Sequence, residues 1–166
     1  MAEIMALLCA GGLILLDQIS KFLIKSNFLL NQSEPVIGCV LNFTYIHNEG
    51  AVGGILAGHP WVFNTITIVV VLAGLALLIA RRLKYKLLIW ADALIVAGGI
   101  GNLIDRLTLG YVVDFIDVQF IDFFVFNLAD CCVVIGTGLM LLHFVLDTIR
   151  DARRRKAAGG DADGSD

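Results

Sequence analysis

An α-helical membrane protein with four transmembrane helices and a small β-rich cap between the first two is the fold class this sequence predicts, on three observations. Of the 166 residues, 58% are hydrophobic and 16% charged, with a mean hydropathy of +0.87, whereas soluble domains carry roughly 25% charged residues. Residues 61 to 80 contain no charged side chain at all, and a helix of that length rises about 30 Å, one hydrocarbon thickness. Finally, nine of the twelve Lys and Arg are gathered into two short stretches, Arg81 to Lys86 and Arg150 to Lys156, the segregation expected of cytoplasmic loops.

The first span covers residues 4 to 24 and carries Asp17 and Lys21. It has no basic leader and no small-residue cleavage site followed by a soluble domain, so it reads as a retained helix and not a removed signal. Residues 25 to 60 lie outside the cytoplasm in this reading. Within them Leu41, Phe43 and Tyr45 alternate with Asn42, Thr44 and Ile46, a period of two that predicts a strand with one covered face. Asn48-Glu-Gly50 reads as a turn, and Val52-Gly-Gly54 and Gly58-His-Pro60 break the chain before the second span.

That second span is 61 to 80. The third, 87 to 104, contains Asp92, and the fourth, 123 to 146, contains Asp130. Basic residues join spans two and three and follow span four, so both stretches are expected inside, and with an even number of spans the N-terminus as well. Residues 1 to 156 form a single integral-membrane domain, and residues 157 to 166, small, acidic and Gly-rich, are expected to be a disordered cytoplasmic tail. The basic run at Arg153 to Lys156 beside a membrane span argues against a nucleic-acid partner.

The four cysteines have no CxxC spacing, with Cys131 and Cys132 adjacent and Cys9 and Cys39 isolated, and His47, His59 and His143 lack metal-ligand spacing. No metal and no cofactor are expected. The polar residues are more informative. Asp17, Lys21, Asp105, Asp114 and Asp130 all fall near one level of the membrane, and a charged side chain deep in a membrane helix costs roughly 2.5 to 3.5 kcal/mol even on lenient scales. Asn102 and Asp105, like Asn127 and Asp130, stand three apart and share a helical face. Asp17 and Lys21, four apart, can pair. Gly98, Gly99 and Gly101 permit close helix approach. Two carboxyl groups sharing one proton can activate water for peptide hydrolysis, the logic of aspartic peptidases. Spacing alone leaves open a small proton-coupled transporter or relay component, or a membrane-anchored assembly factor.

Five ordered blocks narrow the choice: Asp17-Gln-Ile-Ser-Lys21, Asn42-Phe-Thr-Tyr-Ile-His-Asn-Glu-Gly-Ala51, Gly101-Asn-Leu-Ile-Asp-Arg106, Val112-Val-Asp-Phe115 and Phe126-Asn-Leu-Ala-Asp130. Together they resemble the successive blocks of bacterial lipoprotein signal peptidase, the type II signal peptidase, over residues 10 to 145. The resemblance implies an aspartic endopeptidase of the bacterial cytoplasmic membrane. Its site would lie at the extracytoplasmic face, removing the signal peptide of diacylglyceryl-modified prolipoproteins just before the lipid-bearing lipobox Cys. It implies Asp114 and Asp130 as the catalytic pair. Asp17, Lys21, Asn48, Gly50, Asn102, Asp105, Arg106 and Asn127 would be supporting or substrate-binding residues, and the β-rich segment a cradle and lid. Partners would be the prolipoprotein and membrane lipid, with the chain acting as a monomer. Against the common Asn-Arg-Gly-Ala-Ala-Phe of the second block, this chain has Asn48-Glu-Gly-Ala-Val-Gly-Gly54, which bears on lid contacts; Cys131 and Asp92 are lesser departures.

Overall fold

The computed structural model describes residues 1–50 and 60–160. In chain order it forms α1 (Ala2–Asn27), β1 (Ser33–Ile37), β2 (Leu41–Asn48), α2 (Pro60–Ile79), α3 (Lys86–Thr108), β3 (Val112–Val118) and α4 (Leu128–Gly160). Four helices among the described residues are long and apolar enough to cross a membrane, in the order expected. Their outward faces carry large apolar side chains such as Leu8, Phe22, Leu72 and Val134, as a lipid solvent requires.

α3 is the central post. Half of its most apolar stretch is buried within the protein, against 17% for α1 and for α2, and the other three helices pack mainly on it. Small residues permit that closeness. A Cβ added to Gly98 would collide with the backbone carbonyl of Ala129 and approach a Val133 methyl to 2.7 Å, and one added to Gly136 would come within 2.6 Å of the Ala91 carbonyl. Toward the basic-loop end the seam closes around Ala6, Ala10, Leu78, Ile89, Ala93 and Ala97.

At the opposite end the three strands form one antiparallel sheet in the order β1-β2-β3. The expected strand is β2. Its partner β3 comes from between the third and fourth helices, so the cap assigned to residues 25 to 60 is completed by a distant segment. An apolar cluster of Ile24, Tyr45, Val113 and Phe115 ties the sheet to the end of α1. β3 was hidden because Val112, Val113, Asp114 and Phe115 are buried in succession, so no alternation marks it. The register slips between Phe43 and Ile46, opposite Ile116 and Asp114, an extra residue on β2 that twists the pair beside Asp114.

Both ends of the fourth helix differ from expectation. The fourth helix begins at Leu128 and not at 123, because Phe126 is drawn into a β-bridge with Ile116. α4 continues to Gly160, past the start of the expected tail, and residues 161–166 lie outside the described residues. The breaker positions 52 to 54, 58 and 59 also lie outside them. Asp92 sits in α3, 5% exposed, with Oδ2 unpartnered among the described residues; its other oxygen would be 2.8 Å from a Cβ on Gly74 of α2.

The α3–α4 contact supplies a test. Gly98→Val forces a side chain into the Ala129 carbonyl, and overpacking typically costs about 1 to 3 kcal/mol. Thermal unfolding in detergent is expected to show a lowered midpoint, whereas Gly138→Ala, where an added Cβ meets nothing, leaves it unchanged.

Candidate active site

The polar residues converge where α1, α3, β3 and α4 meet. Lys21 is 3% exposed, and its ammonium lies 2.9 Å from Asp17 Oδ2 and 3.1 Å from Asp105 Oδ2 while donating to Asn102 Oδ1 at 3.0 Å. The Asp17–Lys21 pair is therefore an interior one and does not snorkel to the interface. Asp17 also accepts from the Ala129 N–H at 2.9 Å, near the start of α4, where four orphan N–H groups point outward and favour negative charge. Asp105 accepts from the Val113 N–H of β3 at 3.0 Å and from Gln18 Nε2 at 3.1 Å. Its salt-bridge partner is Lys21; its chain neighbour Arg106 has no carboxylate within ion-pairing distance among the described residues.

Gln18 went unnoticed in the sequence. Its amide nitrogen reaches Asp17 Oδ2, the Gly101 carbonyl and Asp105 Oδ1 at 3.1 to 3.2 Å. Its place between Asp17 and Lys21 was the available signal. Gly101 is small for a related reason: a Cβ there would stand 2.7 Å from Asp17 Oδ2.

Above this layer, two asparagines link the two aspartates singled out by sequence. Asn127, fully buried, donates through Nδ2 to Asp114 Oδ1 at 2.6 Å and to Asn102 Oδ1 at 3.1 Å. Its Oδ1 accepts from the Asp130 N–H at 2.9 Å, while Asp130 Oδ2 accepts from the Asn127 N–H at 3.2 Å. This reciprocal pair is a capping box with Asp in place of the usual Glu, so the device that starts α4 also fixes the Asp130 carboxyl. Asn102 Nδ2 donates to Asp130 Oδ1 at 2.7 Å. On the other side, Asn48 Nδ2 donates to Asp114 Oδ2 at 2.8 Å, and Asn48 is itself held by the Gly50 N–H on its Oδ1 at 3.1 Å. An Asx turn thus occupies the expected turn position. Of the ten residues singled out by sequence, nine join this network; Arg106 lies beside it, lining a cavity with Asn48, Gly50 and Gly110. Gly110, at φ +85, supplies the left-handed turn that sends the chain from α3 into β3.

The two carboxyls differ in setting. Asp114 is 1% exposed, and burial pushes its pKa up to about 6, reinforced by the Asp130 charge and opposed by the hydrogen bonds from Asn48 and Asn127 and by Lys21. Asp130 is partly exposed. Two carboxyls in one hydrogen-bonded unit, one retaining its proton near neutrality, can exchange a proton with a bound water. Among the described residues no group of His, Cys, Asp and Glu is arranged to hold a metal ion, and all four cysteines are free.

The family model and the curated relatives agree on one family. The model of signal peptidase (SPase) II matches residues 9–146. The lipoprotein signal peptidase of Moorella thermoacetica is 42% identical over 140 residues, covering 84% of this chain and 92% of the relative. That of Syntrophus aciditrophicus is 39% identical over 159 residues, covering 92% and 96%. Among solved structures, two described as bacterial membrane enzymes superpose with TM-scores of 0.81 and 0.77 at 36% and 35% identity. The first covers 87% of this chain and 89% of its own, the second 84% and 92%.

Two measurements follow from the geometry. Lys21→Met leaves Asp17 and Asp105 as buried, uncompensated charges, and breaking such a pair costs roughly 3 to 5 kcal/mol. Thermal unfolding in detergent is expected to fall accordingly, and an unchanged midpoint would refute the role given to Lys21. For Asp114, the unfolded carboxyl releases its proton near 3.8 and the folded one near 6. Between those values the folded state binds the extra proton, so this group's contribution to stability falls as pH rises, by up to about 3 kcal/mol. Asp114→Asn removes that dependence. The difference in unfolding midpoint between variant and parent is expected to move in the variant's favour from about pH 4 to about pH 7; a constant difference rules the shift out.

Proposed function

The chain belongs to the signal peptidase II family of membrane aspartic peptidases, and from that premise we propose that Asp114 and Asp130 are its catalytic pair, cutting diacylglyceryl-modified prolipoproteins just before the lipid-bearing Cys. Removal of signal peptides from prolipoproteins within a bacterial membrane is the activity of the family. The observation that carries the finer reading is Asn127, whose side chain binds both Asp114 Oδ1 and the Asp130 N–H and so holds the two acids as one unit.

In the proposed cycle Asp130, the more accessible acid, sits at a helix start that favours its anion and takes a proton from water. The water oxygen bonds to the scissile carbonyl carbon while Asp114, which burial keeps protonated to higher pH, gives its proton to the carbonyl oxygen. The diol formed collapses as a proton passes to the amide nitrogen and the C–N bond breaks, leaving a carboxylic acid on the signal peptide and a free amine on the Cys. Asn48, Asn102 and Asn127 orient the acids. Asp17, Lys21 and Asp105 hold the helices that bear them, and Gly50 fixes Asn48.

The same reading gives the orientation. The basic loops at Arg81 to Lys86 and after Arg150 face the cytoplasm with both termini, the sheet end faces outward, residues 1 to 156 act as one domain, and the enzyme works as a monomer. The substrate's signal helix enters laterally from the bilayer while its lipid tails remain there.

Asp114→Asn and Asp130→Asn, expressed separately and given a lipid-modified prolipoprotein, are each expected to insert normally and to lose cleavage by at least about 10³-fold, the loss expected when one member of a catalytic unit is removed. Full processing by either variant sinks the assignment. Asp105→Asn is expected to lower activity or stability with some cleavage surviving, since Asp105 bonds Lys21, Gln18 and Val113 and neither acid of the pair. A complete block in a well-folded Asp105→Asn protein counts against its supporting role.

A further inference from the structure

Asn48 is the residue through which β2 reaches the proposed catalytic pair, donating to Asp114 Oδ2 at 2.8 Å, yet it stands at the very end of its strand. Element ends fray, and the hold on this one is uneven. On one side the last backbone bonds join Tyr45 to Asn31 and Gln32, so beyond Tyr45 only β3 flanks β2 among the described residues. On the other side Val113, the register partner of His47, gives its N–H to Asp105 Oδ2 and not to β2. Past Asn48 the chain turns away through the Gly50 N–H. A displacement of about 1 Å in a catalytic group can cost roughly a hundredfold in rate, so the aim of Asn48 needs a further restraint.

His47 supplies it. Its ring lies on that of Tyr111, centroid to centroid 3.6 Å and 18° from parallel, and its Nε2 shares a hydrogen bond of 2.8 Å with the Tyr45 hydroxyl. Tyr45 is buried in the apolar cluster at the end of α1; burial and the adjoining Tyr111 push its pKa up to about 12, so it remains a neutral O–H. Tyr111 follows Gly110 at the turn into β3. The imidazole is thus gripped on a face and on an edge, and ring pairs of this kind contribute beyond the area they bury. Successive strand side chains point to opposite faces, so a His47 ring locked on one face fixes the direction of Asn48 on the other. We propose that His47, clamped between Tyr111 and Tyr45, is a positioning residue that aims the Asn48 amide at Asp114. The assignment rests on the peptidase reading given above.

The test reads the pH profile of kcat/KM on a diacylglyceryl-modified peptide spanning the cleavage site. In the proposed cycle Asp114 acts protonated, so activity falls as pH rises through the ionisation of the acid pair. The Asn48 hydrogen bond favours the Asp114 anion, and losing it moves that fall to higher pH. The charged groups facing Asp114, namely Asp130, Lys21 and Arg106, stay in place in every variant. Asn48→Ala is expected to shift the basic limb upward by roughly one pH unit. Tyr111→Ala, which removes the stack and keeps His47, is expected to shift it the same way and to lower kcat/KM by about tenfold to a hundredfold. Tyr111→Leu, which keeps apolar bulk without an aromatic face, is expected to do likewise, whereas Tyr111→Phe keeps the ring and the parent's limb. In the Asn48→Ala background, Tyr111→Ala is expected to make less than about a twofold difference, because the residue it positions is already gone. General loosening of the cap would cost as much there as in the parent and would leave the limb in place. The limb is read on the folded fraction, so a low yield does not displace it. The assignment is overturned by an unmoved limb in Tyr111→Ala and Tyr111→Leu, by an undiminished loss in the Asn48→Ala background, or by a Tyr111→Phe protein as impaired as Tyr111→Ala. If the parent leaves the peptide intact, the peptidase reading falls and this assignment with it; if it cuts the peptide and the Tyr111 variants keep its limb, only the role of His47 falls.

Discussion

A single buried ammonium organises this molecule. Lys21 is held by Asp17, Asp105 and Asn102, and each of those partners has a second commitment elsewhere. Asp17 binds the start of α4 through the Ala129 N–H, Asp105 binds β3 through the Val113 N–H, and Asn102 binds Asp130. One cation thereby joins α1, α3, β3 and α4. In lipid, where apolar contact gives helices little preference for one another over the surrounding tails, such a polar junction fixes both register and rotation. The glycines of α3 complement it by letting the backbones close to the distance these bonds need.

The proposed catalytic pair inherits its geometry from that junction. Every polar atom of the Asn127 side chain is engaged: two N–H groups on Asp114 and Asn102, and one oxygen on the Asp130 N–H. Its amide cannot be flipped without setting acceptor against acceptor. The Asp114 carboxyl is thus joined to a helix cap, and the helix cap to the Lys21 junction through Asn102. A peptidase of this kind needs two acids kept close despite their repulsion. Here the restraining bonds come from neutral amides, which hold the carboxyls in place without compensating their charge, and burial leaves Asp114 able to carry a proton near neutral pH.

Much of this was legible in the sequence because lipid simplifies the problem. Every span had to be apolar, and the acids inside or beside them stood out at once. The ordered blocks then named Asp114 and Asp130, whose juxtaposition no spacing could give: one lies on a strand, the other in the first turn of a helix, linked through Asn127 and Asn102. β3 escaped because it is covered on both faces and so reads as a plain apolar run. The start of α4 was misplaced because Phe123 to Phe126 are as apolar as a helix but lie before it, with Phe126 bridged to Ile116. Gln18 escaped because a lone amide carries no charge to draw notice, although in an apolar span its hydrogen bonds are as demanding.

The charges also explain why the chemistry sits at one end of the bundle. Among the described residues, Asp17, Asp105, Asp114 and Asp130 face only Lys21 and Arg106 as cations, so a fully ionised site would hold two excess negative charges in a poorly solvated space. Near the sheet, helix-start N–H groups, the Val113 amide and four amide side chains supply dipoles against that excess, and a shared proton on the pair removes half of it. Deeper in α3, Asp92 has none of these partners among the described residues. A carboxyl pair is tolerable only where backbone ends and amides converge, and in a four-helix bundle capped by a three-stranded sheet that place is the junction of the helix ends with β3.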